Sequence, residues 1–485
     1  MYELLHSRKL DNFKRLRNHL IPIVIPGFIV FLTLITFLIE HDCNQCNNFG
    51  FAPQAFGLSK PESNSGPLIV DPSFKAQVYF NGIKFPSSMA FLGNNDILVL
   101  EKNDGTVKRI VNGVMLADPL LKVNVSSVGE RGMLGIAILK RENQSKSPYI
   151  FLYYTAATSK SKPFGNMAGN NSTLTTNRLV RYEMSNDRLV NGKLIFEVLA
   201  RGIVHNGGKM IVGPDNNLYI TIGDISDAGN PQMDAFPNGR AGILRFTPDG
   251  DSVKNESGKS IMGNTSPTNK YYAYGLRNSF GIGFDPVSGK LWDTENGPSF
   301  GDEINLVEPG FNSGWDTIQG YWAKQDPTPG HEVLIPNPKD IASFGGKLKY
   351  SPPELATYPT VGFTALTFIN TSNYGKEYEN DMLVGDFHNG NLYHFDLNKN
   401  RTDLELNGGL DDKIANNVSD LNSVILGQGF GGITDIKVGP DGSIYILAVY
   451  QGGDNCYPKP LPGCITYTSS LPGTVFKIVH ANRSM

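Results

Sequence analysis

A histidine and an aspartate in this chain stand at a spacing that suits acid–base chemistry. His205 lies in His205-Asn206-Gly207-Gly208, just ahead of an apolar stretch that reads as a strand, and Thr221-Ile222-Gly223-Asp224 follows with its aspartate nineteen residues on. In an antiparallel pair, the start of one strand and the end of its neighbour lie at the same end. A carboxylate beside an imidazole fixes its tautomer and raises its basicity, as a general base requires. Gly-Asp turns also cap strands with no chemistry attached, and a single histidine is more often structural. Arg277-Asn278 follow Tyr274-Gly275-Leu276. A guanidinium beside an amide polarises a carbonyl or binds a carboxylate; the plainer alternative is an arginine that ties down a loop. In Glu295-Asn296-Gly297-Pro298-Ser299-Phe300-Gly301-Asp302-Glu303-Ile304-Asn305, carboxylates, amides and a Gly-Pro turn supply hard oxygen donors of the kind calcium prefers. The spacing is not that of an EF-hand loop. Glu130, in Glu130-Arg131-Gly132-Met133-Leu134-Gly135, marks a further charged turn between glycines, of a kind more often structural.

These residues punctuate a repeated unit that must position them. From residue 71 to 481, a Gly/Asn/Asp turn leads again and again into a short apolar strand. The copies begin at Gly93, Tyr149, Gly213, Asp285, Asn380 and Gly439. A four-stranded propeller blade needs about 40 to 50 residues plus loops. One blade cannot bury both of its faces, so blades pack radially around a channel. The pattern predicts an all-β, six-bladed β-propeller, with the polar stretches 158–177, 254–270 and 321–357 as loops on its end faces.

Ahead of the repeats, Leu20 to Ile39 carries no charge and is long enough to cross a hydrocarbon core of about 30 Å. Arg8, Lys9, Lys14, Arg15 and Arg17 precede it, while Glu40 and Asp42 follow. The positive-inside bias predicts a basic cytoplasmic segment 1–19, a transmembrane helix 20–39, a linker 40–70 and the propeller, 71–481, on the extracellular side. A cleaved signal peptide is the alternative, but the run exceeds a usual h-region and no small-residue cleavage site follows. Cys456 and Cys464 flank a Pro-rich loop and suit a disulfide outside the cell. Cys43 and Cys46 form a single C-x-x-C, too few ligands for a zinc site, and read as a juxtamembrane disulfide or free thiols. Sequons such as those at Asn124, Asn264 and Asn370 fit an exterior location. A net charge of −3 gives no reason to expect nucleic acid as a partner.

The segments "HNGGKMIVGPDNNLYITIGD", "YGLRNSFGIGFDP" and "ENGPSFGDEINLVEPGFNSGW" resemble, in letters, order and spacing, the glucose/sorbosone dehydrogenase family of soluble quinoproteins. The resemblance runs through most of residues 80–480. It implies a six-bladed propeller that carries pyrroloquinoline quinone (PQQ) and calcium on its top face. It further implies oxidation of aldose sugars to lactones, with electrons passed to an external acceptor. Carried over by position, His205 is the base toward the sugar hydroxyl and Asp224 orients it. Arg277 polarises the quinone carbonyl, and Asn278 and Asn296 lie at the cofactor. The Gly297 and Pro298 carbonyls hold calcium, with Asp302 close by. Glu130 falls where the family often has a glutamine that meets the sugar. Two positions depart from the family pattern. His388 ends the stretch Leu383-Val384-Gly385-Asp386-Phe387-His388, where a lysine is usual. Thr434 stands in Gly432-Ile433-Thr434-Asp435-Ile436, where an Arg-x-Arg is usual. Those cations neutralise the PQQ carboxylates; Lys347, Lys349 or Lys437 are the candidates to replace them. The alternative is a cofactor-free propeller that binds a sugar, a glycan or a protein ligand. A lactonase-like propeller would need a central cage of carboxylates, which the sequence does not clearly offer.

Overall fold

Each of the six repeats becomes the second strand of its own sheet: Asp96–Glu101, Tyr149–Ala156, Leu218–Ile222, Leu291–Glu295, Met382–Asp386 and Ile444–Ala448. The computed structural model of the chain describes residues 66–141, 147–157, 175–226, 229–234, 237–333, 340–449 and 472–481. All of these belong to one compact unit, Asn64–Met485. An antiparallel partner precedes each second strand: Pro86–Gly93, Met133–Leu139, Met210–Val212, Ser279–Phe284, Phe363–Phe368 and Ile433–Val438. These six inner strands pack one against the next in chain order, and the sixth packs back on the first. The result is a closed six-bladed β-propeller. The ring is latched by strand exchange, because Phe74–Lys84 pairs with the C-terminal strand Pro472–His480 and so becomes the outermost strand of the sixth blade. Leu68–Ile69 pairs with Ile425–Gln428 on the fifth blade, so the propeller starts a few residues earlier than the expected residue 71.

Side-chain alternation explains why the second strands read as nearly unbroken apolar runs. Successive side chains point to opposite faces, and in a propeller both faces are buried against a neighbour. In the first blade, Leu98 and Leu100 pack with Ile150 and Leu152 of the second. Ile97 and Val99, on the other face, pack with Tyr445 and Leu447 of the sixth. Phe151 and Tyr153 then join Leu218 and Ile220 of the third blade. Every pair of neighbouring blades shares such a cluster. Ile220 is 0% exposed. Ile220→Ala is expected to cost about 2–5 kcal/mol, from lost burial plus a cavity. Equilibrium urea unfolding checks this; a change below about 0.5 kcal/mol, typical of a surface site, would contradict the packing described.

The expected transmembrane helix 20–39, Cys43, Cys46, Cys456 and Cys464 lie outside the described residues, as does most of the expected loop 158–177. Among the described residues, no helix is long and apolar enough to cross a membrane.

Candidate active site

At one end of the ring, the inner strands begin and the second strands finish, and there a cavity of about 290 Å³ opens. Ten of the eleven site residues singled out from the sequence line it: Glu130, His205, Arg277, Asn278, Asn296, Gly297, Pro298, Asp302, His388 and Thr434. The eleventh, Asp224, stands directly behind His205. The hairpin logic holds: Met210 pairs with Ile220, which leaves His205 before one strand and Asp224 after the other at the same end.

The close approach that builds the centre depends on Gly223. A Cβ there would sit 2.3 Å from the His205 carbonyl and 2.7 Å from the Arg277 carbonyl. Only a residue without a side chain lets these three backbones meet. Asp224 N–H donates to the Arg277 carbonyl at 2.8 Å, which ties the histidine hairpin to the arginine. His205 itself has φ 60°, in the left-handed region, a conformation that costs a non-glycine residue about 1–2 kcal/mol. Glu130 holds it there. Its Oε2 accepts from His205 N–H at 2.6 Å and from Asn206 N–H at 3.3 Å, and Asn278 Nδ2 donates to both of its oxygens at 3.3 Å. The side chain expected to meet a sugar is therefore also the clamp on the histidine loop.

His205 Nδ1 lies 2.8 Å from Asp224 Oδ1, which also accepts from Ser226 N–H at 2.7 Å; Trp315 Nε1–H donates to Asp224 Oδ2 at 2.8 Å. Burial alone would raise the Asp224 carboxyl, but the bonds from His205, Ser226 and Trp315 outweigh it and hold it below the usual carboxylate range. An ionised Asp224 takes the Nδ1 proton as its donor and leaves Nε2 as the basic nitrogen for the cavity. The Arg277 guanidinium lies 5.4 Å from the centre of the Trp315 ring, and its Nη1 donates to the Asn296 carbonyl at 2.7 Å. Burial pulls the Arg277 pKa down, against the attraction of Asp224 and Glu130. Beneath it, Glu295 and Glu303 oppose each other across paired strands, and Glu295 Oε1 accepts the Arg277 N–H at 2.5 Å. Burial, then the Glu303 charge, pushes Glu295 well above the usual carboxylate range.

The Gly297-Pro298 turn is fixed by Asp302. Its Oδ1 accepts from Gly297 N–H at 2.9 Å, and its Oδ2 accepts from Val361 N–H at 2.8 Å and Gly362 N–H at 2.6 Å. A Cβ on Gly297 would lie 1.8 Å from the Phe300 carbonyl, so the tight turn requires glycine. Among the described residues, neither the Gly297 nor the Pro298 carbonyl accepts a hydrogen bond. Both remain available as hard oxygen donors beside a carboxylate, which suits calcium. Among the described residues, Arg277 Nε and Asn278 Oδ1 are buried without a partner. Buried polar atoms are rarely left so, and a polar ligand in the cavity would complete them. The donor set therefore fits a planar, oxygen-rich group held beside a divalent cation.

The proposed replacement lysines are not here. Lys347 Nζ donates to the Met262 carbonyl at 3.0 Å, and Lys349 is exposed on the short strand Lys349–Tyr350. Lys437 lines a separate cavity built from the far ends of the inner strands, with Nζ 3.3 Å from Asp435 Oδ1. Two lysines that the sequence reading passed over, Lys102 and Lys209, line the candidate site instead. Lys209 directly follows the His205-Asn206-Gly207-Gly208 turn, which was the available signal. Trp315 was also passed over, although it closes the third quoted segment.

The family described as Glucose / Sorbosone dehydrogenase matches residues 83–455. The aldose sugar dehydrogenase of Escherichia coli K12 is 23% identical over 392 residues, 78% of this chain and 91% of that one. The quinoprotein glucose dehydrogenase B of Acinetobacter calcoaceticus is 26% identical over 293 residues, 56% of each chain. The PQQ-bound aldose sugar dehydrogenase of Streptomyces coelicolor is alike in fold, with TM-score 0.54, 20% identity and coverage of 85% of this chain and 99% of that one. With most of its length matched and its segments assembled around one cavity, the chain belongs to the glucose/sorbosone dehydrogenase family.

Proposed function

We propose that this propeller oxidises aldose sugars to lactones, using PQQ and calcium, and passes the electrons to an external acceptor. The observation that carries the reading is the convergence of the His205–Asp224 pair, at 2.8 Å, and Arg277 on one cavity with the Gly297-Pro298 turn. When bound, PQQ supplies a two-electron acceptor for the hydride from the anomeric carbon, and calcium acts as a Lewis acid toward it. The residues of the chain do the rest. His205 Nε2 takes the proton of the anomeric hydroxyl, and Asp224 stabilises the resulting imidazolium. Arg277 and Asn278 present their unpartnered buried atoms to the quinone. Asn296, His388 and Thr434 complete the wall around it, and the Gly297 and Pro298 carbonyls hold the cation. The quinoprotein and PQQ-bound relatives support the cofactor.

Titrating the full-length protein with PQQ and excess calcium tests this. The expected result is stoichiometric binding, followed through quinone absorbance, with dye reduction that depends on added aldose. Absence of binding at micromolar PQQ would reject the reading and favour the cofactor-free alternative, for which His388 and Thr434 in place of the family's usual cations would then speak.

The uncharged run 20–39, with basic residues before it, supports a single-pass anchor with the propeller on the extracellular side. The protein is then expected to stay in the membrane fraction after an alkaline carbonate wash. Release into the supernatant would reject the anchor.

A further inference from the structure

Two lysines face the cavity from blades where no cation was expected. Lys102 follows the first blade's second strand, and Lys209 precedes the third blade's inner strand. Both are nearly buried, at 4% and 7% exposure. A lysine this buried is uncommon unless an oxygen or a negative charge compensates it. Lys102 Nζ donates to Asn103 Oδ1 and to the Gly129 carbonyl, each at 2.9 Å, and lies 5.0 Å from the centre of the Phe85 ring. Lys209 reaches across the channel. Its Nζ donates to the Ser87 carbonyl of the first blade at 2.9 Å and to the Thr434 carbonyl of the sixth at 2.5 Å.

The second of these contacts places an ammonium at the Thr434 corner, whereas the lysine of that strand, Lys437, lies on the separate cavity at the far ends of the inner strands. The nearest carboxylate to Lys209, Asp435 Oδ2, is 3.8 Å away. It is already committed to Ser88 Oγ at 2.7 Å and Met89 N–H at 2.9 Å. An ammonium has three donors, and the two carbonyls use two of them. A purely structural tie between blades explains those two bonds. Asp435, as the ion-pair partner at 3.8 Å, balances the charge, and the third ammonium donor is left for the cavity that Lys209 lines.

We propose that Lys209 and Lys102 form the anion-binding wall of this cavity and hold carboxylates of the quinone, with Lys209 delivering to the Thr434 corner the charge that corner lacks. The proposal rests on the PQQ reading above. The electrostatics agree with the geometry. Burial lowers Lys102 to about 7, against the pull of Glu130. Burial likewise lowers Lys209 to about 8, with Asp435 opposing the shift and Lys437 adding to it. An arriving carboxylate would favour the charged form of both.

The test compares PQQ with its trimethyl ester, which has the same ring system without the three negative charges. Equilibrium affinities are measured by quenching of intrinsic fluorescence, in excess calcium, for the intact protein and for Lys102→Met and Lys209→Met. The intact protein is expected to prefer PQQ to the ester. Each substitution is expected to weaken PQQ by about 10- to 100-fold, as for a lost charge-assisted hydrogen bond, while ester affinity changes little. Equal losses for both ligands, or unchanged PQQ affinity, would overturn the assignment and leave the PQQ reading standing. No PQQ binding by the intact protein would overturn both. Should Lys209→Met fail to fold, as judged by circular dichroism, the intact protein decides: PQQ affinity that matches the ester and is indifferent to salt overturns the proposal, and a preference for PQQ that falls with salt supports it.

Discussion

Replacing His205 with alanine is expected to lower kcat for aldose-dependent dye reduction by about 10²- to 10⁴-fold, the usual worth of a positioned general base, while PQQ affinity stays nearly unchanged. The reason is geometric. Asp224 and Ser226 engage Nδ1, at 2.8 and 3.2 Å, so the opposite ring nitrogen is the one presented to the cavity. Asp224→Asn sharpens the test. In the native protein both carboxylate oxygens only accept, Oδ1 from Ser226 N–H and His205, and Oδ2 from Trp315 Nε1–H. An amide must turn its NH2 group toward one of these donors. Facing Trp315, it sets two donors against each other. Facing His205, it forces the proton onto Nε2 and removes the base. Either placement is expected to cost on the order of 10²-fold or more in kcat, with a smaller effect on KM. Full turnover in His205→Ala would remove the histidine from the chemistry. Full turnover in Asp224→Asn alone would mean that Ser226 suffices to orient it.

The second large effect is expected at Asp302, which is 0% exposed and takes three backbone N–H groups from two separate loops. Asp302→Ala leaves Gly297, Val361 and Gly362 N–H without their acceptor. Each buried orphan costs about 1–3 kcal/mol, so a loss of at least about 3 kcal/mol in unfolding free energy is expected. The loss reaches function because the Gly297-Pro298 carbonyls depend on the same clamp. Calcium should raise the urea midpoint of the native protein by mass action, and that increment should largely vanish in Asp302→Ala. Asp302→Asn keeps the shape and can accept only through one oxygen, so an intermediate loss is expected. A variant with native stability and a native calcium increment would show that the turn is held by its own backbone and not by Asp302.

Much of this architecture was legible because the responsible physics is local. A second strand buried on both faces must be apolar at nearly every position, and Gly, Asn and Asp must begin it at the turn. The six runs from Asp96–Glu101 to Ile444–Ala448 therefore announced themselves. His205 and Asp224 could be paired because one hairpin joins them, and a hairpin places its strand start and strand end together. Arg277, Asn278 and the Gly297-Pro298 turn stood out by their residue chemistry, but only resemblance to a family joined them to one site, since nothing in their spacing requires a shared cavity.

What only the tertiary structure decided are the contacts that cross the channel. Lys209 and the Thr434 carbonyl are 225 residues apart in the chain, and Trp315 and Asp224 are 91 apart. No periodicity links such positions, because closing the ring sets them face to face, and closure depends on all six blade interfaces and on the pairing of Phe74–Lys84 with Pro472–His480. Lys347, Lys349 and Lys437 are the candidate replacement cations that the chain itself suggests, while Lys102 and Lys209 line the cavity from across the ring. The sequence by itself determined the blades and the placement of the His205–Asp224 pair, since strand alternation and hairpin pairing act over a few residues; the charges that line the cavity were decided by a chord across a closed circle, which no local stretch of sequence encodes.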